Sequence, residues 1–243
     1  MKILLLAGTR EARELSFAIA EQFPGAELVS SLAGATQRPS KLAGDMRVGG
    51  FGGAAGLLSF LNEQKITYVI DATHPFAVQM SQNACLACSE ARIPLLRINR
   101  PAWTIHDSWT VVPDLGAAAT VLKPNERSFL ATGRGSLKAF LKRTDVWFLV
   151  RVVDDTPEAF PLAQGGFLVS QPPFTVEEEM ETLRENGIET LVTRNSGGSG
   201  GYEKIEAAMK VGCRVVMVER PALGEADEVE TVEGAVGRLR AWA

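Results

Sequence analysis

Residues 49–77 read GGFGGAAGLLSFLNEQKITYVIDATHPFA, and they hold two strand-to-helix turns in one short span. In the first, Gly49, Gly50, Phe51, Gly52 and Gly53 carry too little side chain to fill a core and leave backbone N–H groups open to a ligand. A helix is predicted from about Leu57 to Gln64. The run Thr67–Ala72 then predicts a strand, and Thr73 or His74 can cap a following helix with Pro75 in its first turn.

The same rhythm extends in both directions. Upstream, the apolar run KILLLA (2–7) ends at Gly8-Thr9, and apolar residues recur at Ala12, Leu15, Ile19 and Phe23, predicting a buried strand followed by an amphipathic helix. GTREAR has one glycine and does not match G-x-G-x-x-G, although a helix N-terminus with Thr9 at its cap suits an anion, or else is a plain structural turn. A second strand is predicted over Ala26–Leu32. Downstream come a helix over Gln79–Arg92, strands at Ile93–Ile98, Trp109–Val112, Ser128–Thr132, Val146–Val153, Phe167–Ser170, Thr190–Thr193 and Arg214–Val218, and helices between them. Thr175-x-x-Glu178 marks one helix start as a capping box. Strand and helix alternate throughout, which predicts an α/β fold of two Rossmann-like, doubly wound parallel-sheet domains with a cleft between them. The expected boundaries are 1–100 for a nucleotide-binding domain and 101–243 for a substrate-side domain.

With 25 basic and 29 acidic side chains, the net charge of −4 argues against a surface that binds nucleic acid. No apolar run reaches the roughly 18 residues of a membrane span, and MKILLLAGTREARE turns charged too soon for a signal peptide, so a cytoplasmic chain is expected. Cys85-Leu-Ala-Cys88 matches C-x-x-C, yet its helix has Met80, Ala84, Ala87 and Ala91 on one face, which favours packing over redox work. With only His74 and His106 and no second cysteine pair, no metal site is expected.

Two features point to anionic ligands. The predicted second strand ends in Ser30-Ser31, where an NAD-binding unit often has a ribose-binding carboxylate; hydroxyls there, with Arg38 and Lys41 beyond, better suit a 2′-phosphate. The competing reading leaves Arg38 and Lys41 as solvated loop charges. In addition, Arg97, Arg134, Arg151, Arg194 and Arg220 lie in or just after strand candidates, with Arg100 behind the first. Strand ends line the ligand crevice of an open sheet, so several of these arginines are expected to converge on a polyanion while others serve as ordinary ion-pair partners. RNSGGSGG (194–201) resembles an anion nest, with Lys204 in the first turn of the next helix.

Together ILLLAGTREAREL, GGFGGAAGLLSFL, VIDATHPFAVQMSQNA, LLRINRPAW, the ATGR turn and LVTRNSGG followed by VVMVERP resemble precorrin-6A reductases, which act in cobalamin biosynthesis. The resemblance implies NADPH-dependent reduction of one carbon–carbon double bond in a methylated polycarboxylate tetrapyrrole, metal-free or cobalt-containing, giving precorrin-6B. It also implies NADPH contacts at Gly8, Thr9, Glu11, Gly50, Phe51, Gly52, Gly53, Asp71, Thr73, His74 and Ala77, beside the Ser30 and Ser31 already noted. The tetrapyrrole would meet Arg97, Arg100, Arg134, Arg194, Arg220, Lys204 and the turn Asn195, Ser196, Gly197, Gly198. Other enzymes of the cobalamin pathway are expected partners. The likeness departs at Ala35-Thr36, where an arginine is expected after SLAG and bears on 2′-phosphate binding, and at Arg194, where lysine is common.

The expected chemistry is hydride transfer from nicotinamide with a proton delivered to the neighbouring carbon. Lys204 is the first candidate donor, His74 the second and water the third. Two other readings remain open from sequence: a reductase of another large anionic substrate, and a non-catalytic NADPH sensor that needs no arginine-lined cleft.

Overall fold

In the computed structural model the described residues are 1–34, 41–155 and 157–242. Arg38 and Ala35-Thr36 lie outside them. The chain forms two compact units, Met1–Pro101 with Ala222–Ala243, and Ala102–Pro221.

The first unit contains β1 (Lys2–Leu6), α1 (Arg10–Gln22), β2 (Glu27–Leu32), β3 (Asp45–Val48), α2 (Gly53–Glu63), β4 (Tyr68–Asp71), α3 (Val78–Ala91) and β5 (Leu95–Ile98). All neighbouring strands are parallel, in the order β12-β5-β4-β1-β2-β3, where β12 is Asp227–Val229 near the C-terminus. Alternation along β1 builds both faces. Ile3 and Leu5 pack with Leu15 and Ile19 of α1 and with Val236 and Leu239 of α7 (Val232–Trp242). Leu4 and Leu6 pack with Leu57 and Leu61 of α2 and with Ala84 and Ala87 of α3.

The second unit contains β6 (Thr110–Val112), α4 (Leu115–Val121), β7 (Arg127–Leu130), a 3-10 helix (Arg134–Phe140), β8 (Trp147–Val152), β9 (Gly165–Val169), α5 (Val176–Glu185), β10 (Thr190–Arg194), α6 (Glu203–Val211) and β11 (Arg214–Val218). Its parallel sheet runs β6-β11-β10-β7-β8-β9. On one face Phe129, Leu149, Leu191 and Met217 pack with Leu183 of α5 and Ile205 of α6.

Both sheets share one plan. Five strands run third-second-first-fourth-fifth, as in a dinucleotide-binding fold, and the sixth position is filled out of sequence. In the first sheet β12 fills it, after the chain has passed through the whole second unit; in the second sheet β6 fills it, before β7. The expectation of a C-terminal domain running over 101–243 is therefore corrected. Ala222–Ala243 belongs with the first unit because β12 pairs with β5 in register Asp227↔Leu96 and α7 packs on α1. Tyr68 fastens the end of α7, stacking on Trp242 at 5.3 Å and donating its hydroxyl to the Trp242 carbonyl at 2.5 Å.

Candidate functional site

Each sheet has a switch point, where consecutive connections leave in opposite directions and a crevice opens past the strand ends. In the first unit it lies between β1 and β4, so the turns after these two strands meet there. Thr9 joins them. Its Oγ1 accepts the Ala12 N–H at 3.1 Å, capping α1, and donates to the Ala72 carbonyl at 2.8 Å. The hydroxyl is thus committed to the fold, and Gly8 and the first-turn N–H groups of α1 are what the turn presents to an anion. A small crevice at this point is lined by Thr9, Glu11, Thr73, Pro75, Ile98 and Arg100. Glu11 and Arg100, expected on cofactor and substrate, pair with each other at 2.6 Å.

Asp71 organises the turn after β4 from inside. One oxygen, Oδ1, accepts from Thr73 N at 3.2 Å and Thr73 Oγ1 at 2.7 Å; the other, Oδ2, accepts from Ser81 Oγ at 2.6 Å and from Arg97 Nε at 3.3 Å. With the Asp71 side chain 1% exposed and all these donors around it, its position is structural and it offers nothing to a ligand directly. Arg97, expected on the substrate, is corrected likewise. Its side chain is 3% exposed and pairs with Asp71 and with Glu228 of β12, while its Nη1 also donates to the Gly224 carbonyl. Arg97 is the residue that ties the returning C-terminal strand to the sheet. His74 does not cap a helix: its Nδ1 accepts the Phe76 N–H at 3.2 Å within a turn, and α3 begins at Val78 with Ala77 at its N-cap.

The glycine turn lies after β3. Gly49, Gly52 and Gly53 have φ of 114°, 81° and 90°, so the turn demands glycine at these points. Gly50 needs neither a positive φ nor space, because a Cβ there would meet nothing within 4 Å. That leaves an open backbone surface at the start of α2. Gly56 is the opposite case: a Cβ would sit 1.8 Å from the Phe51 carbonyl oxygen, so the turn folds directly onto the helix it starts. Sequence reasoning missed the residue that holds this turn. Arg47 donates Nη1 to the Gly49 carbonyl at 2.6 Å and to Ser31 Oγ at 3.2 Å, and Nη2 to the Gly50 carbonyl at 2.7 Å. Its guanidinium carbon lies 3.8 Å from the Phe51 ring centre. The signal was present as a cation two residues before the glycines. Ser30 is corrected: it is fully buried and donates to the Ala43 carbonyl at 2.9 Å, out of reach of a ribose.

In the second unit the switch point lies between β7 and β10, and the turns after them are Thr132–Gly135 and Arg194–Gly201. Arg134 is exposed and donates to the Asp154 carbonyl at 3.1 Å. Arg194 is half-buried, and desolvation pulls its guanidinium below its ordinary pKa. Asn195, expected on the substrate, is buried, and its amide clamps the main chain of Trp103: Oδ1 accepts from Trp103 N at 2.8 Å and Nδ2 donates to Trp103 O at 2.9 Å. Arg220 braces the same turn, donating Nε to the Asn195 carbonyl and Nη2 to the Ser196 carbonyl at 2.9 and 2.8 Å. Trp103 Nε1 donates to the Gly198 carbonyl at 2.9 Å. Asn195, Ser196, Gly198 and Arg220 thus meet around one built turn, with Gly197 in it.

Lys204 stands beside this turn at the start of α6. Its ammonium donates to the Gly201 carbonyl and lies 5.5 Å from the Trp103 ring centre. Burial is the main cause that brings its pKa down to about 8; Glu179 and Glu203 oppose the shift, and Arg151 adds to it. Glu179, itself 2% exposed, is held by both Nη atoms of Arg151 at 2.5 and 2.9 Å. The strand-end Arg151 is therefore an internal ion-pair partner.

The C-x-x-C pair is structural. Cys88 is 2% exposed and burial pushes its thiol up to about 12, while Cys85 Sγ receives an Arg97 N–H at 3.2 Å. Among the described residues no cluster of three or more metal-ligating side chains occurs and no helix is long and apolar enough to cross a membrane.

A family model for "Precorrin-6x reductase CbiJ/CobK" matches residues 2–240. A precorrin-6A reductase of Rhodobacter capsulatus is 40% identical over 98% of this chain and 95% of its own. Another, of Rhodococcus erythropolis, is 41% identical over 97% and 96%. A cobalt-precorrin-6A reductase of Priestia megaterium is 28% identical over 98% and 97%. The solved structure of a CobK precorrin-6A reductase superposes with a TM-score of 0.92 at 39% identity, covering 99% of this chain and 96% of that one.

Proposed function

The chain belongs to the precorrin-6x reductase family and is an oxidoreductase of cobalamin biosynthesis; from that premise we propose that it reduces one carbon–carbon double bond of precorrin-6A with NADPH, giving precorrin-6B. The observation that carries the reading is the match to the family over residues 2–240, in a chain whose first sheet has the dinucleotide-binding strand order.

The first unit fits a dinucleotide on its own geometry. Its switch point has the N-terminus of α1 and Gly8 on one side, and the glycine turn offers open backbone at Gly50 and the N-terminus of α2. Gly8, Gly50, Phe51, Gly52, Gly53, Thr73 and Ala77 are the residues proposed to hold NADPH. When bound, that cofactor supplies the hydride. The chain's own residues bind and align: Arg134 and Arg194 meet substrate carboxylates, and the braced turn Asn195–Gly198 presents backbone N–H groups to them. Lys204 holds a proton at Nζ beside that turn, with a pKa of about 8 that suits a donor near neutral pH. His74 stays the second candidate donor; its Nδ1 accepts the Phe76 N–H, which leaves Nε2 as the nitrogen that carries its proton. The metal-free tetrapyrrole is proposed first because the relatives named for it are the more similar ones.

The test is to mix purified protein, NADPH and precorrin-6A anaerobically and follow nicotinamide absorbance with product mass. Stoichiometric oxidation with gain of two hydrogens is expected. Absence of oxidation with precorrin-6A, together with turnover of its cobalt form, would shift the substrate; absence with both would remove the reading.

A further inference from the structure

Beside the proposed NADPH site, and resting on that reading, the ends of β2 and β3 lie together. These strands pair with Ser31 opposite Arg47. In a dinucleotide-binding unit the end of the second strand meets the adenine ribose, and here it has no carboxylate to take up a free 2′-hydroxyl. Arg47 is the cation at that place. Its hydrogen bonds all go to neutral acceptors, Ser31 Oγ and the Gly49 and Gly50 carbonyls, and among the described residues no Asp or Glu pairs with it. In a chain of net charge −4 that makes Arg47 a half-buried cation without a carboxylate partner among the described residues. Three of its N–H donors are used in these contacts, out of the five a guanidinium has. One face rests on Phe51, which with the three bonds fixes the plane of the group before any ligand arrives.

We propose that Arg47 recognises the ribose 2′-phosphate and selects phosphorylated over unphosphorylated dinucleotide, with Ser31 as the positioning residue that holds it. A 2′-phosphate brings a charge of about −1.5 to −2 to a cation already oriented. The carbonyls of Gly49 and Gly50 offer that phosphate nothing, so its recognition falls to the guanidinium. Lys41, exposed in the preceding loop, is a rival cation, as is Arg38 outside the described residues.

The experiment is a binding titration of the full chain with NADP⁺ and NAD⁺, which differ only in the 2′-phosphate and cannot turn over alone. Wild type is expected to prefer NADP⁺. Arg47→Gln should weaken NADP⁺ by about 10- to 100-fold, the range for losing a charge-assisted contact, while NAD⁺ moves by much less. Arg47→Lys should fall between, and Ser31→Ala should lower the preference slightly. Equal weakening of both nucleotides in Arg47→Gln would overturn the proposal, leaving Arg47 as a brace for the glycine turn. So would an unchanged ratio, particularly if Lys41→Ala or Arg38→Ala abolished it. Wild type binding neither nucleotide would sink the nucleotide reading itself; wild type that discriminates beside an Arg47→Gln that does so equally would sink this inference alone.

Discussion

Arg97 Nε donates to Asp71 Oδ2 at 3.3 Å with the two side chains 3% and 1% exposed, and the same guanidinium reaches Glu228 on the strand that returns from the C-terminus. A buried pair of this kind contributes little net stability against an apolar replacement, yet removing one partner strands the other charge. Arg97→Met is expected to destabilise the fold by about 3–5 kcal/mol, read by urea denaturation. The exposed pair of Arg10 and Glu14 is the control, where Arg10→Met should leave the urea midpoint close to that of wild type. Equal effects would show that Arg97 does not organise the core. Since Asp71 also holds Thr73 and Ser81, Asp71→Asn should loosen the turn after β4 and weaken NADP⁺ binding as well.

Gly56 and Gly50 separate packing from ligand contact. Gly56→Ala places a methyl against the Phe51 carbonyl and should cost about 1–3 kcal/mol while displacing the glycine turn. At Gly50 a methyl has open space, so Gly50→Ala should leave the melting temperature within about a degree or two of wild type. If the dinucleotide backbone approaches there, its affinity drops all the same. Unchanged NADP⁺ affinity in Gly50→Ala would remove Gly50 from the site.

Much of this arrangement is legible along the chain. KILLLA followed by apolar residues at helical spacing has to be a buried strand and a helix, and the glycines at 49–53 mark an open turn whatever the tertiary context. β3 and β12 were not legible. They are four and three residues long, lie toward the sheet edges and have burial patterns of mostly exposed or half-buried positions, so no apolar run announces them. The return of Ala222–Ala243 to the first unit follows from pairing with β5 across the whole second unit, a separation that periodicity does not see. The arginine pattern failed for the same reason. Arg97 ends up on buried Asp71 and on exposed Glu228, 131 residues away, and Arg151 on buried Glu179, 28 residues away, whereas Arg194 closes β10 and Arg134 opens the 3-10 helix after β7.

Asn195 provides a separate test of the second unit. Its two hydrogen bonds to the Trp103 main chain hold the indole that the Gly198 carbonyl and Lys204 use. Asn195→Leu leaves a main-chain N–H and carbonyl without these partners and should cost about 1–3 kcal/mol. Trp103 fluorescence, isolated by comparison with Trp103→Phe, should shift. If the indole emission and the turnover stay as in wild type, the clamp has no bearing on the site.

Lys204 gives the sharpest dependence on pH. Burial holds its pKa near 8, well under the ordinary 10.5 of lysine. As the proton donor it acts in the charged form, so turnover should be flat below about pH 8 and fall as pH rises through it. The sign for stability is opposite. A lysine with a depressed folded pKa binds fewer protons folded than unfolded between about 8 and 10.5, so its burial penalty, complete below that window, is relieved as pH climbs through it. Lys204→Met should therefore be somewhat more stable than wild type at neutral pH while losing about 10²- to 10⁴-fold in kcat. It should also lose the alkaline limb of the pH profile. Lys204→Arg keeps a cation beside the turn but one that does not release its proton in this range, so it should retain KM better than kcat. A kcat that survives in Lys204→Met, with the alkaline limb intact, would hand the protonation step to water or His74.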